Sequence, residues 1–361
     1  MTPVERIQVS ACRIPTDFPE SDGTLEWNST TIVIVEAEAG GVRGIGYTYA
    51  DTATARLIEE FLAPRVKGCD AMNVNRTWQF MLQEVRNLGQ TGIAAMAISA
   101  VDACLWDLKA KILQLPLVSL LGAVREATPV YGSGGFTSYT LDQLQKQLSG
   151  WVHGGVSRVK MKIGRDPQAD ISRVRAAREA IGTDAELFVD ANGAYRRKQA
   201  LRFAERFADY GVCWFEEPVP SDDLEGLGEI RRRAPAAMDI TAGEYGYNLS
   251  YFHHMLDAEA VDILQADATR CCGISGFLQV GALCAARNMR LSSHCAPALH
   301  LQACCALKPI IHMEYFHDHV RIENLLFEGT PKLRDGLLYP DMTRPGLGLE
   351  LKHADARKYE I

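Results

Sequence analysis

The feature that most constrains this chain is a change of texture near Thr128 that persists for almost two hundred residues. Short apolar runs recur at residues 130–133, 156–163, 187–190, 213–216, 240–244, 263–267, 291–294 and 311–314. The stretches between them, such as 141–152, 169–181 and 196–210, carry apolar residues at helical spacing. Apolar strands that alternate with helices predict parallel strands joined by crossover helices, and eight of them predict a closed β/α barrel.

The first third follows a different pattern. An alternating segment near residues 1–9 and β-branched runs at 30–36 and 44–49 predict strands, and 55–62, 77–87 and 92–113 predict helices ended by Leu115-Pro116. Residues 1–127 are therefore expected to form an α+β capping domain and residues 128–324 the barrel. From about Asn324 the chain turns loop-like, and its strand-like end at 344–351 is expected to return the segment 325–361 to the cap. Residues 15–24, with Pro15, Pro19 and several acids, are expected to be a mobile loop that covers a ligand.

Composition narrows the function classes. With 361 residues the chain exceeds one ordinary core but fits a barrel plus a small domain. No run approaches the roughly 20 apolar residues that a membrane-spanning helix needs. The N-terminus lacks the basic-then-apolar order of a secretory signal, so no membrane partner and a cytoplasmic location are expected. A formal net charge of -7 argues against a broad nucleic-acid surface, which needs clustered cations. The ten cysteines form no CxxC pair and are expected to be reduced, mostly buried thiols.

In β/α barrels the active site forms at the C-terminal ends of the strands. Here those ends carry Lys160 and Lys162, then Asp190, Glu216, Glu244, Asp267, His294 and Glu314, at intervals from 20 (His294 to Glu314) to 30 residues (Lys160 to Asp190). Asp190, Glu216 and Glu244 would converge from three successive strands, and three unpaired carboxylates in one mouth repel strongly. Each alone is as readily a helix cap or an arginine partner. Together they call for a cation, and an all-oxygen set suits Mg²⁺, with Mn²⁺ as the alternative, better than zinc. Lys160 and Lys162 share one face of their strand, away from Val159, Met161 and Ile163. A lysine crowded by a second cation and a metal has its charged form disfavoured, which makes Lys162 a candidate base. Asp267, one strand before His294, is placed to take the second N–H of the imidazole and raise its basicity.

These residues, in this order, resemble the enolase superfamily and within it the mandelate racemase subgroup. The resemblance spans nearly the whole chain and rests on Lys160-Met-Lys162, Val189-Asp-Ala-Asn192, Phe215-Glu-Glu-Pro218, Ala242-Gly-Glu244, Gln265-Ala-Asp267 and Ser292-Ser-His294. The run from Ala97 to Lys109 also resembles that family's helical signature. The resemblance implies a substrate carboxylate on Mg²⁺, with Lys162 and His294 as bases on opposite faces of the α-carbon and an enediolate intermediate. It further implies that Lys160 binds the carboxylate and tunes Lys162, that Glu314 is an acid hydrogen-bonded to the carboxylate, and that Asn192 and Glu217 support the ligands from behind. A homo-oligomer is implied as well.

Two departures stand out. Where the muconate-lactonising subgroup has a catalytic lysine, this chain has Arg270, which cannot lose its proton and can only support the site. Where many relatives have Gly-x-Gly-Glu, this chain has Gly44-Ile-Gly46-Tyr47, so a differently lined capping pocket is expected. Dehydration of a sugar acid is the favoured reaction. Racemisation or epimerisation of a 2-hydroxy acid and cycloisomerisation of a lactone or anhydro sugar acid are the alternatives. A non-catalytic sugar-acid binder would have lost a ligand or a base, and a metal hydrolase would want histidine-rich ligation.

Overall fold

Residues 1–361 are described by a computed structural model. The chain begins with a three-stranded antiparallel sheet, β1 (Arg6–Ser21), β2 (Glu26–Ala39) and β3 (Val42–Tyr49), in the order β1-β2-β3. The β-branched run Ile32–Ile34 and Val35 of the central strand is fully buried, as a strand covered on both faces should be. Against this sheet packs the helix Ile93–Ile112, most of whose residues are buried. The glycines of β3 allow the close approach. A Cβ on Gly46 would lie 2.3 Å from the Ala100 carbonyl oxygen, and one on Gly44 would lie 2.6 Å from that of Cys104.

The barrel follows, with strands β4 (Thr128–Gly134), β5 (Arg158–Lys162), β6 (Glu186–Asp190), β7 (Val212–Glu216), β8 (Asp239–Ala242), β9 (Ile263–Ala266), β10 (Arg290–Ser293) and β11 (Ile310–Phe316). They pair in sequence order, each neighbour parallel, and β11 closes on β4 through Glu314↔Tyr131. A helix follows every strand, from Leu141–His153 to His317–Leu326. The base of the barrel is filled by Tyr131, Phe188, Trp214 and Ile263, so the polar strand ends face a single open mouth.

The cap is stitched to the barrel by buried acids on the long helix. Asp102 accepts hydrogen bonds from the Ser275 backbone N–H (2.9 Å) and hydroxyl (2.7 Å). Asp107 accepts from the Ile45 N–H (2.8 Å) and the Leu347 N–H (2.6 Å), and pairs with Lys111 at 3.0 Å. Through Leu347 this helix also holds the C-terminal tail, whose last residues reach β1: the Ile361 N–H donates to the Ala11 carbonyl at 3.0 Å. No helix is long and apolar enough to cross a membrane.

Three expectations are corrected. Residues 15–24 are largely strand, because β1 is an edge strand whose prolines need no ladder partner. Its register with β2 breaks between Pro15 and Glu20 and resumes at Glu20↔Trp27. The polar residues after the break are buried and partly paired: the Trp27 indole donates to Glu20 Oε2 at 2.8 Å, Glu20 Oε1 has no partner, and the Ser21 and Thr137 hydroxyls meet at 2.6 Å. Within the expected strand-like end at 344–351 only Glu350–Leu351 is strand, paired with Phe327–Glu328. Tyr47 does not line a capping pocket. It is fully buried, stacked on Phe327 and donating to Glu323 at 2.6 Å. All ten cysteines are free thiols, and only Cys69 and Cys213 are partly exposed.

Candidate active site

The strand register assembles the polar mouth. Lys162 lies beside Asp190, and Asp190 beside Glu216, across β5, β6 and β7. Glu244 stands just past β8, after Gly243, where a Cβ would meet the Gln265 carbonyl oxygen at 2.0 Å. Single oxygens of Asp190, Glu216 and Glu244 all lie within 4.8 Å of one another, and all three side chains are buried. Backbone in the left-handed region recurs just beyond these strands, at Asn192 (φ 45), Glu217 (φ 39) and Cys295 (φ 51). Such conformations are costly for residues with side chains and collect at functional sites.

Around the carboxylates sit the two lysines. Lys160 is fully buried and donates to both Glu216 oxygens at 2.7 Å, with Glu314 at 2.8 Å and Asp190 at 3.5 Å. It lies beneath the mouth and does not border the cavity. Burial opposes its charge, but Glu216 and Glu314 outweigh burial and hold it protonated. Lys162 Nζ is 2.5 Å from Asp190. Here too burial opposes the ammonium and Asp190 overrides it, so with the carboxylates unneutralised the Lys162 pKa moves up; the depression expected from the sequence requires the cation beside it as well. The reason is charge balance: Asp190, Glu216, Glu244 and Glu314 outnumber the lysines around them.

On the opposite rim His294 Nδ1 is 2.9 Å from Asp267, while Nε2 is 3.1 Å from Glu244 and 3.7 Å from Glu314. Burial disfavours the imidazolium, yet the groups around it, including the Cys295 thiol and these carboxylates, raise the His294 pKa well above its ordinary value. Asp267 is held ionised against burial by His294, His300 and Arg270. It also accepts from the Thr269 N–H at 2.7 Å. Glu314 accepts the Cys295 N–H at 2.9 Å, and its pKa falls because Lys160 and His294 outweigh burial. Arg270 reaches the Glu244 carbonyl at 3.1 Å and its carboxylate at 3.5 Å, with Tyr245 against its guanidinium at 5.3 Å.

A cavity of about 390 Å³ opens between barrel mouth and cap. From the barrel it is bordered by Lys162, Asn192, Glu244, Arg270, His294 and Glu314, so these meet in one space. Lys160, Asp190, Glu216, Glu217 and Asp267 lie behind that lining. The β1–β2 hairpin contributes Asp22, Leu25, Trp27 and Thr30, and Tyr49, Cys295 and His319 complete the wall. Sequence reasoning pointed to the hairpin as a segment but missed Tyr49, Cys295, His300 and His319. His300 accepts the Ala268 N–H on Nε2 at 2.7 Å, donates from Nδ1 to the Ala296 carbonyl at 3.0 Å, and sits 3.5 Å from Asp267. The signal for both histidines was an extra His within six residues of a strand-end residue, His300 after His294 and His319 after Glu314.

The donor set fits a hard divalent cation. Glu217 Oε1 and Asn192 Oδ1 are buried oxygens with no hydrogen bond from the protein, which is costly unless a ligand completes them. Three carboxylates around one point, with no sulfur or imidazole among them, suit an oxygen-seeking ion.

Fold and site together define a β/α-barrel protein with three clustered carboxylates and with a lysine and a histidine bordering one cavity. Residues 143–356 match the model for the enolase C-terminal domain-like family, and residues 9–122 match that for the mandelate racemase / muconate lactonizing enzyme N-terminal domain. The chain belongs to the mandelate racemase / muconate lactonizing enzyme family of the enolase superfamily. The L-talarate/galactarate dehydratase of Salmonella typhimurium is 32% identical, over 98% of this chain and 90% of that protein. A mandelate racemase/muconate lactonizing enzyme-like protein from Rubrobacter xylanophilus superposes with a TM-score of 0.98 at 54% identity, covering 99% of this chain and 100% of that one. A racemase from Streptomyces coelicolor A3(2) with bound magnesium gives 0.93 at 31% identity, covering 99% and 100%.

Proposed function

We propose that this protein is a Mg²⁺-dependent enzyme that removes the proton α to a carboxylate, and that its overall reaction is dehydration of a sugar acid to a 2-keto-3-deoxy acid. The observation that carries the reading is that Lys162 and His294 border the same cavity as Glu244, one of three carboxylates gathered within 4.8 Å. Asp190, Glu216 and Glu244 would hold the ion. Bound Mg²⁺ supplies positive charge for the enediolate dianion and neutralises the carboxylates that otherwise hold Lys162 protonated.

Lys162 Nζ takes the α-proton as the C–H bond breaks, and the electron pair moves onto the substrate carboxylate. Glu314, 2.8 Å from the Lys160 ammonium, would hydrogen-bond that carboxylate in its protonated form, which the substrate's own negative charge beside it favours. His294, oriented by Asp267, delivers its proton to the β-hydroxyl as the C–O bond breaks. Water leaves, and the enol becomes the keto acid. Arg270 holds Glu244 in place, and Asn192 and Glu217 support the ligand set. Proton-transfer groups on two walls would also serve racemisation or epimerisation, with His294 returning the proton from the other face. Cycloisomerisation would use the same first step. The catalytic unit is proposed to be a cytoplasmic homo-oligomer whose partner is a small sugar acid or 2-hydroxy acid.

Incubation of the Mg²⁺-loaded protein with a library of acid sugars, followed by NMR and mass analysis, tests the overall reaction. Loss of water with appearance of a 2-keto acid is expected. An isomer of unchanged mass would replace dehydration with one of the isomerisations.

A further inference from the structure

The cavity is unevenly charged. Its lysine and arginine, Lys162 and Arg270, sit at the barrel end and are paired there: Lys162 with Asp190 at 2.5 Å, Arg270 with Glu244 at 3.5 Å and Asp267 at 3.8 Å. The cap side offers different chemistry. Asp22 is a buried carboxylate at the tip of the β1–β2 hairpin. Its Oδ1 accepts from the Thr24 N–H (2.6 Å), the Thr24 hydroxyl (3.2 Å) and the Leu25 N–H (2.7 Å), which fixes the turn and leaves Oδ2 free of protein donors. Thr30 commits its hydroxyl proton to Asp318 at 2.5 Å and so presents only lone pairs. His319 is 8% exposed, stacked on Tyr49, and accepts the Ala296 N–H on Nδ1 at 3.3 Å. Its ring proton is therefore on Nε2, which has no protein partner.

Two acceptors and one neutral donor suit sugar hydroxyls, each of which donates and accepts. A second carboxylate accepts only. It would meet the Asp22 carboxylate, and the cap-side lining of the cavity holds no lysine or arginine to pair with it. Resting on the α-proton reading above, we propose that the substrate is a sugar monoacid, its one carboxylate at the barrel end and a neutral hydroxylated end against the cap, with Asp22, Thr30 and His319 selecting against diacids.

The test uses the full-length, Mg²⁺-loaded protein and matched pentonic/pentaric and hexonic/hexaric acids that differ only in a terminal CH₂OH or carboxylate. kcat/KM is measured by keto-acid formation and by deuterium uptake at the α-carbon. Monoacids are expected to exceed their diacid partners by at least about 10²-fold, as hydrogen-bonding sites discriminate. Asp22→Asn removes the charge, while its amide oxygen still accepts from Thr24 and Leu25, so the ratio should shrink at least about tenfold. Diacids turned over as well as monoacids, or an unchanged ratio in Asp22→Asn, would overturn the selection and leave the α-proton reading standing. No deuterium uptake with any acid of either class would remove the reading on which it rests, and this assignment with it.

Discussion

Lys162 and His294 reach one cavity from β5 and from the turn after β10, each backed by its own carboxylate, Asp190 and Asp267. If both move protons, Lys162→Ala and His294→Asn should each lower kcat by at least about 10²-fold in the Mg²⁺-loaded enzyme, the low end of general acid–base contributions. Near-normal turnover in both variants would remove the two-group assignment. The positions of these residues were legible in the sequence because a barrel strand exposes its end to the mouth and each strand end here is polar. Their charge states were not. The upward displacement at Lys162 depends on Asp190, Glu216 and Glu244 from three other strands, a balance that appears only once the register is known. Asp22 was legible only as part of a polar segment, because its role comes from the wall it faces and not from its neighbours in the chain.

Among the elements, the joint between β3 and the helix His317–Leu326 carries the clearest pH signature. Tyr47 and the Ala298 N–H (3.2 Å) both donate to Glu323, yet burial dominates and raises this carboxyl to about 8. For an acid whose folded pKa is raised, the stability is full below its ordinary value near 4.5 and is lost as pH climbs through 8. Ionising so buried a carboxylate costs on the order of a few kcal/mol. Urea midpoints from pH 5 to 8.5 should therefore fall more steeply for the wild type than for Glu323→Gln, whose amide Tyr47 can meet by turning its hydroxyl. Parallel profiles would contradict this account of the joint. The barrel strands were legible to within a few residues because their parallel, doubly buried character leaves continuous apolar runs. The β1 extension was not, since prolines signal a loop except on an edge strand, and edge position is a property of the assembled sheet. The tail was over-read as strand because Gly346 and Gly348, at φ 70 and 81, turn it instead.

At the scale of the whole molecule, the cap and barrel share one function through one cavity. The barrel gathers the charged groups at its mouth, and the cap closes them over with a hairpin and β3, anchored by Asp102 and Asp107 on the long helix. On the proposed reading, the barrel end takes an anion on a cation and the cap end the rest of the substrate. This division rests on the claim that Asp190, Glu216 and Glu244 hold a divalent cation beside groups that ionise a C–H bond. The most direct measurement is deuterium uptake at the α-carbon of an acid sugar in D₂O, followed by NMR with and without chelator. Uptake in the Mg²⁺-loaded protein, abolished by chelator and restored by added Mg²⁺, is the expected result. Uptake that is indifferent to the chelator, or that survives Glu216→Gln unchanged, would contradict the account.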